Sequence, residues 1–235
     1  MTSEIPAYFH LGDPESQRLL ALRDKDAPYQ LEPRRCPLNE EHRQDRRTTT
    51  LALEVKHASR DEAMISSWLG EKVVHASLAT EFQKRGFTGY RLKPATVRFR
   101  DGNVSRDYSE LIITGWAGVA RPESGIKLLE DCPGCHLKDY SSLRDSTQLI
   151  DWAAWTGDDF FLVWPLPSFT LITARVAEAL QALGVRTYRI GTLRSLEQRF
   201  IPSSLTSLGG FTVGRLSNFL PVDLALRYGK GLGLE

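Results

Sequence analysis

LATEFQKRGFTGYRL (Leu78–Leu92) and VAEALQALGVRTYRI (Val176–Ile190) align without a gap, 98 residues apart. Ala79 matches Ala177, Gly86 matches Gly184, Tyr90 matches Tyr188 and Arg91 matches Arg189. Apolar character is kept at Leu78/Val176, Phe82/Leu180, Phe87/Val185 and Leu92/Ile190, and Val73-Val74 upstream matches Leu171-Ile172. Each copy reads as a short strand, a helix with one apolar stripe, a glycine at the helix C-terminus and a closing strand. Any amphipathic helix stopped by glycine shares the apolar positions. The Tyr-Arg pair and the unbroken register point beyond that, to a duplicated strand–helix–strand unit.

The first helix carries Leu78 and Phe82 on one face, Lys84 and Arg85 in its last turn and Gly86 at C′. The second has Thr173 as N-cap, a stripe of Val176, Leu180 and Leu183, and Gly184 as its stop. Between the copies, residues 95–120 read as a β-hairpin turning at Asp101-Gly102, with Leu111, Ile112 and Ile113 on the return strand. Residues 48–58 read as a strand. SRDEAMISSWLG reads as a short helix from Ser59 to a stop at Gly70, because Asp61 and Glu62 follow the cap. GIKLLED before Cys132 suits a strand. Trp152, Trp155, Phe160, Phe161 and Trp164 make an aromatic segment that Pro165 and Pro167 keep from being a long helix. Residues 1–47 read as polar, turn-rich loop. In the tail, LPVDLALRYG reads as a short helix with Pro221 at N1.

The repeat gives the cysteines a frame. CPLN (Cys36–Asn39) lies 42 residues before Leu78, and CPGC (Cys132–Cys135) lies 44 before Val176. Each half therefore opens with a Cys-Pro knuckle, and Asn39 stands where the second cysteine of the first knuckle is expected. Zinc takes four tetrahedral thiolate and imidazole ligands, often from two such knuckles. His42 can replace the missing thiol, so Cys36, His42, Cys132 and Cys135 form the expected set for a structural zinc. His136 is a weaker donor, since it follows Cys135 directly. The alternative is a lapsed site with three free thiols.

Other readings of CPGCH fare worse. A c-type haem is attached outside the cytoplasm, and the N-terminus shows neither the basic nor the apolar region of a secretory signal. A redox Cys-x-x-Cys needs a helix N-terminus to lower the thiol pKa, yet HLKDYSSLRDS starts a helix poorly and Glu130 and Asp131 oppose ionisation.

Composition narrows the function classes. Of 235 residues, 41% are hydrophobic, enough for a sizeable core. Lys plus Arg number 30 against 29 acidic residues, a balance with no global pull toward nucleic acid or anionic lipid. No apolar run approaches a membrane span, and a cytoplasmic location is expected. Arg34, Arg35, Arg43, Arg46 and Arg47 make a local basic cluster. It reads as a solvated surface or as a contact for an acidic partner. No Gly-x-Ser-x-Gly, P-loop or dinucleotide-binding fingerprint occurs in the right context. Asp158-Asp159 could be paired carboxylates but reads more simply as a turn before a strand. His57 and His75 read as half-buried histidines.

The duplicated Cys-Pro knuckle, GFTGYRL, WTGDDFF and LITARVAEALQALGV together resemble the bacterial double-CXXCG-motif proteins. These are similar to immunity proteins that neutralise a toxin delivered between neighbouring cells. The resemblance spans about Cys36 to Leu193. Asn39 departs from it, as does His136, which stands where the family has glycine. The resemblance implies a non-catalytic antitoxin-type protein whose partner is a cognate protein toxin; no membrane role is expected, and nucleic acid is not the expected partner. The alternative is a zinc-ribbon-like nucleic-acid-binding or regulatory protein using the arginine cluster. A third reading is an enzyme using Asp158 and Asp159.

The expected architecture is α+β. Two related strand–helix–strand units and a hairpin are joined by Cys-Pro knuckles in a zinc-ribbon-like junction. The halves are 1–125 and 126–235, within one compact domain.

Overall fold

Ala76–Lys84 (α1) and Ala174–Ala182 (α2) are nine-residue helices that occupy matching positions in the two aligned segments. Each is followed by a glycine at φ +64°, Gly86 and Gly184. α1 buries Leu78, Ala79 and Phe82, and α2 buries Val176, Ala177, Ala179 and Leu180. Both stripes enter one core, where Phe82 meets Phe87, Tyr90 and Phe160 at ring distances of 5.8, 5.7 and 5.2 Å. Fully burying such a phenylalanine contributes about 1.5–3 kcal/mol.

The structure is a computed structural model that describes residues 7–14, 16–42, 44–185, 187–197 and 210–234. It is a mixed α+β fold. In chain order the strands are β1 (Tyr8–Gly12), β2 (Leu22–Arg23), β3 (Leu31–Glu32), β4 (Arg46–Arg47), β5 (Leu51–Glu54), β6 (Met64–Ser66), β7 (Lys72–His75), β8 (Tyr90–Arg98), β9 (Val104–Ile113), β10 (Gly115–Val119), β11 (Leu128–Asp131), β12 (Lys138–Tyr140), β13 (Phe160–Trp164), β14 (Leu171–Thr173), β15 (Arg189–Gly191) and β16 (Phe211–Val213). A third helix, α3, spans Val222–Gly229. No helix among the described residues is long and apolar enough to cross a membrane.

The strands form a six-stranded sheet ordered β2-β5-β8-β9-β7-β6 and a five-stranded sheet ordered β10-β13-β14-β1-β15. In the first, β9 lies between β7 and β8 and runs antiparallel to both. In the second, β1 lies between β14 and β15 and runs antiparallel to both. β6 flanks β7 antiparallel, with Ile65 opposite Val73, and β13 flanks β14 antiparallel, with Phe161 opposite Leu171. The strand between the arms follows its helix in one sheet and comes from the start of the chain in the other.

Alternation along the strands serves three cores. Val74, Phe160, Leu162 and Trp164 face the main core with both helices. Ile65, Val73, Val97 and Tyr108 face a second core of the six-stranded sheet. Phe161 and Val163 face a third, with Leu143, Leu149 and Leu171. All five residues of β13 are consequently buried, and the aromatic segment divides between two faces.

Several expectations give way. Residues 59–69 do not form the helix read from Ser59. Met64 and Ile65 point into different cores, so a strand buries both, and Gly70 (φ +84°) turns it into β7. Residues 1–47 contain β1, which closes the five-stranded sheet and is more than loop. Strand β8 runs unbroken from Tyr90 to Arg98, merging the closing strand with the first arm of the hairpin. Leu183 is exposed, and His57 is exposed while His75 is half-buried. Thr173 sits at the N-cap of α2 without capping it, because its hydroxyl donates to Asp159 Oδ1 at 2.9 Å. Pro221 is the N-cap of α3, one position outside the helix. Arg43 and residues 198–209 of the tail lie outside the described residues.

Candidate metal centre

Both knuckles sit between antiparallel strand pairs. The first occupies the loop between β3 and β4, closed by the Gln44 N–H on the Arg34 carbonyl at 3.1 Å. The second is the turn between β11 and β12. There the Cys132 N–H meets the Leu137 carbonyl at 2.9 Å and the His136 N–H meets the Cys132 carbonyl at 2.8 Å. β12 is anchored to the main core, where Trp164 Nε1–H donates to the Tyr140 hydroxyl at 2.7 Å. Gly134 lets the knuckles approach. A Cβ there would lie 2.8 Å from Leu38 Cγ and 3.1 Å from Cys36 Sγ.

Cys36, His42, Cys132 and Cys135 meet in this gap, with all four ligand atoms within 4.8 Å of one another. Cys36 Sγ lies 3.6 Å from Cys132 Sγ, and Cys135 Sγ lies 3.6 Å from His42 Nδ1. Tetrahedral zinc with its usual bond lengths needs about 3.8 Å between two thiolates and about 3.6 Å from thiolate to imidazole nitrogen. The thiols are buried and unbridged, while His42 is half-buried at the rim. The arrangement is compatible with a structural metal site. Its four protein donors leave no open position for substrate, unlike catalytic zinc.

The thiols differ in ease of ionisation. Burial works to push Cys36 up, but the N–H groups of Leu38 and Asn39 and the neighbouring thiols outweigh it, leaving it below the ordinary cysteine value. Cys132 is also held down, chiefly by the Gly134 N–H acting against burial, helped by the Cys135 N–H and His42. Cys135 is pushed up to about 11 by burial and by the two other thiols. A bound cation reverses that penalty, since a coordinated thiol is deprotonated.

Asn39 contributes no ligand atom to the cluster. Its side chain lies 3.2 Å from His42 Nε2 and accepts the Glu41 N–H at 2.9 Å. His136 stays outside and faces Asp131 at 3.7 Å. It is the non-glycine residue with positive φ, +58°, among those described.

The remaining sequence candidates are placed elsewhere. Asp158 accepts the Thr156 hydroxyl. Asp159 is buried and accepts from the Thr88 N–H and the Thr173 hydroxyl. His75 caps α1, its Nδ1 accepting the Ser77 N–H at 3.3 Å. Arg47 pairs with Glu110. Sequence reasoning missed Arg215 and Gln44, which the fold brings to the back of the second knuckle; neither carries a local pattern that reveals it. The chain matches no protein-family model and no curated protein.

Proposed function

We propose that this chain is a non-catalytic binding protein of the immunity type, which neutralises a cognate bacterial toxin. The observation that carries the reading is the closed four-donor cluster. Three thiols and one imidazole fix a scaffold and leave no coordination position for chemistry. The disposition of Asp158 and Asp159 supports it, since both carboxylates are engaged by threonines. We take the metal to be zinc and the junction to be zinc-ribbon-like, each knuckle riding on a two-stranded hairpin. We also read the sets β6-β7-β9-β8 and β13-β14-β1-β15 as copies of one unit, with β1 supplying from the chain start the strand that β9 supplies in the first copy.

The test pairs the protein with the product of the neighbouring gene in a bacterial host. Neutralisation predicts that co-expression restores growth and that the two proteins copurify. Growth arrest despite soluble protein would remove the immunity reading. Elemental analysis of purified protein should find about one zinc per chain, and a content far below that would remove the zinc reading alone.

A further inference from the structure

The arginine-rich stretch divides in the fold. Arg46 and Arg47 line a cleft together with Glu71 and Glu110. Arg34 and Arg35 instead line a separate cavity of about 460 Å³, where Arg215, just beyond β16, joins them. Buried Gln44 and Cys135, with half-buried Gly134, form much of the remaining wall. Gln44 is itself fixed, donating to the Cys135 carbonyl at 3.3 Å and accepting from Asn218 Nδ2 at 3.2 Å.

Among the described residues, no carboxylate lines this cavity. The acids near its rim are Glu32, 4.0 Å from Arg34 Nη2, and Asp45, which accepts the Arg34 backbone N–H at 3.3 Å and lines the neighbouring cleft. Among the described residues, neither Arg35 nor Arg215 has a carboxylate within 4.0 Å. Arg34, Arg35 and Arg215, from segments about 180 residues apart, thus line one concave wall, with Arg34 Nη1 also reaching Asn218 Oδ1 at 3.5 Å. Gathering like charges costs energy unless an anion sits among them. A carboxylate's two oxygens offer about four acceptor sites in one plane, enough for about two guanidinium forks, whereas the oxygens of a tetrahedral oxyanion can meet three from different directions. Its size, within the usual range for small-molecule sites, suits a discrete anion better than a strand of backbone.

We infer that this cavity binds a phosphate-type oxyanion, free or as the terminal group of a phosphate ester, held by Arg34, Arg35 and Arg215 beside the second knuckle. The inference is independent of the toxin reading.

The experiment is titration calorimetry of the full chain, as purified, with pyrophosphate and with inorganic phosphate. It is repeated on Arg35→Gln, Arg215→Gln and Arg46→Gln. All three side chains are exposed or half-buried, so folding should survive, and thermal unfolding without ligand checks this. Binding is expected, weakened about tenfold or more in Arg35→Gln and Arg215→Gln, as losing a charge-assisted fork implies. Arg46→Gln should bind unchanged. A 5′-phosphorylated dinucleotide that binds while its dephosphorylated form does not would place the anion on an ester; equal binding of free phosphate would place it free. Absence of any phosphate or pyrophosphate binding overturns the inference. So does binding that neither cavity variant weakens, or that Arg46→Gln weakens equally. Cavity variants that change only the metal content also overturn it, since the arginines then merely balance thiolate charge.

Discussion

Thr88 and Asp159 bind each other twice: the Thr88 N–H donates to Asp159 Oδ2 at 3.1 Å, and the Asp159 N–H donates to Thr88 Oγ1 at 3.2 Å. This exchange ties the turn after α1 to the start of β13, which pairs with β14, the strand that leads into α2. Asp159 Oδ1 also accepts the Thr173 hydroxyl, and Arg175 Nη1 stands 3.6 Å from Oδ2. One buried carboxylate therefore joins both aligned segments. The backbones cross closely here. A Cβ on Gly115 would lie 2.6 Å from Asp158 Cβ, with the Phe160 carbonyl oxygen nearer still.

Replacing Asp159 with alanine removes the acceptor of the part-buried Thr88 N–H and Thr173 hydroxyl bonds together, at a cost of about 1–3 kcal/mol. Asp159→Asn, which keeps one acceptor, should lose less. Urea unfolding of both variants measures this. Wild-type stability in Asp159→Ala would show that the latch is incidental. A catalytic carboxylate would instead be replaceable with little cost to stability, so the same measurement bears on the enzyme reading.

Helices α1 and α2 were legible because each carries an apolar stripe ended by glycine, a wholly local signal. The four clustered donors were legible because a Cys-Pro knuckle is local too and the aligned segments supplied the frame. β1 was not, because both strands it joins lie more than 150 residues away and nothing in Tyr8–Gly12 announces them. β6 was misread because Ser59, Asp61 and Glu62 imitate a helix start. Two cores on opposite sides of Met64 and Ile65 override that local preference. The arginine cavity was invisible for the same reason as β1: Arg215 reaches it only through the pairing of β16 with β12.

A metal held by His42 Nδ1 leaves the ring proton on Nε2, facing Asn39. The asparagine cannot serve both neighbours well. Its oxygen already accepts the Glu41 N–H, so its amide nitrogen meets a second donor. A carboxylate at this position would accept from both. Asn39→Asp should therefore tighten zinc by about tenfold, the scale of outer ligand-orienting groups. His42→Ala should weaken it by far more, leaving three donors. Competition against a chromophoric chelator reads both. Unchanged affinity in His42→Ala would remove His42 from the ligand set.

His136 holds φ +58° at the knuckle turn, a conformation that costs a side-chain-bearing residue about 1–2 kcal/mol. Glycine relieves that strain but makes the unfolded chain more flexible, which takes back part of the gain. His136→Gly should accordingly raise stability by roughly 0.5–1 kcal/mol. It should leave the metal content unchanged, because the imidazole faces Asp131 away from the cluster. Loss of metal in this variant would reinstate His136 as a donor. A chemical-denaturation midpoint and elemental analysis on the same sample decide both points.

His10 supplies a pH dependence whose sign follows from its surroundings. Burial, reinforced by the nearby Lys72, lowers its pKa from 6.5 to about 4, with Asp13 opposing and Arg189 adding slightly. Its ring packs against Phe169 at 5.1 Å. The unfolded chain takes up this proton near pH 6.5, whereas the folded chain resists until about pH 4. Between these values the unfolded state binds more protons, so stability falls as pH drops through that window, and below it this group adds no further loss. The full effect is at most about 3 kcal/mol. Carboxylates titrate in the same range, so the informative quantity is a difference. Urea midpoints at pH 7 and pH 4.5 should separate less in His10→Gln than in the wild-type protein. Parallel pH profiles for the two proteins would mean that His10 titrates alike in the folded and unfolded chain, and that Lys72 and Phe169 exert no hold on its charge.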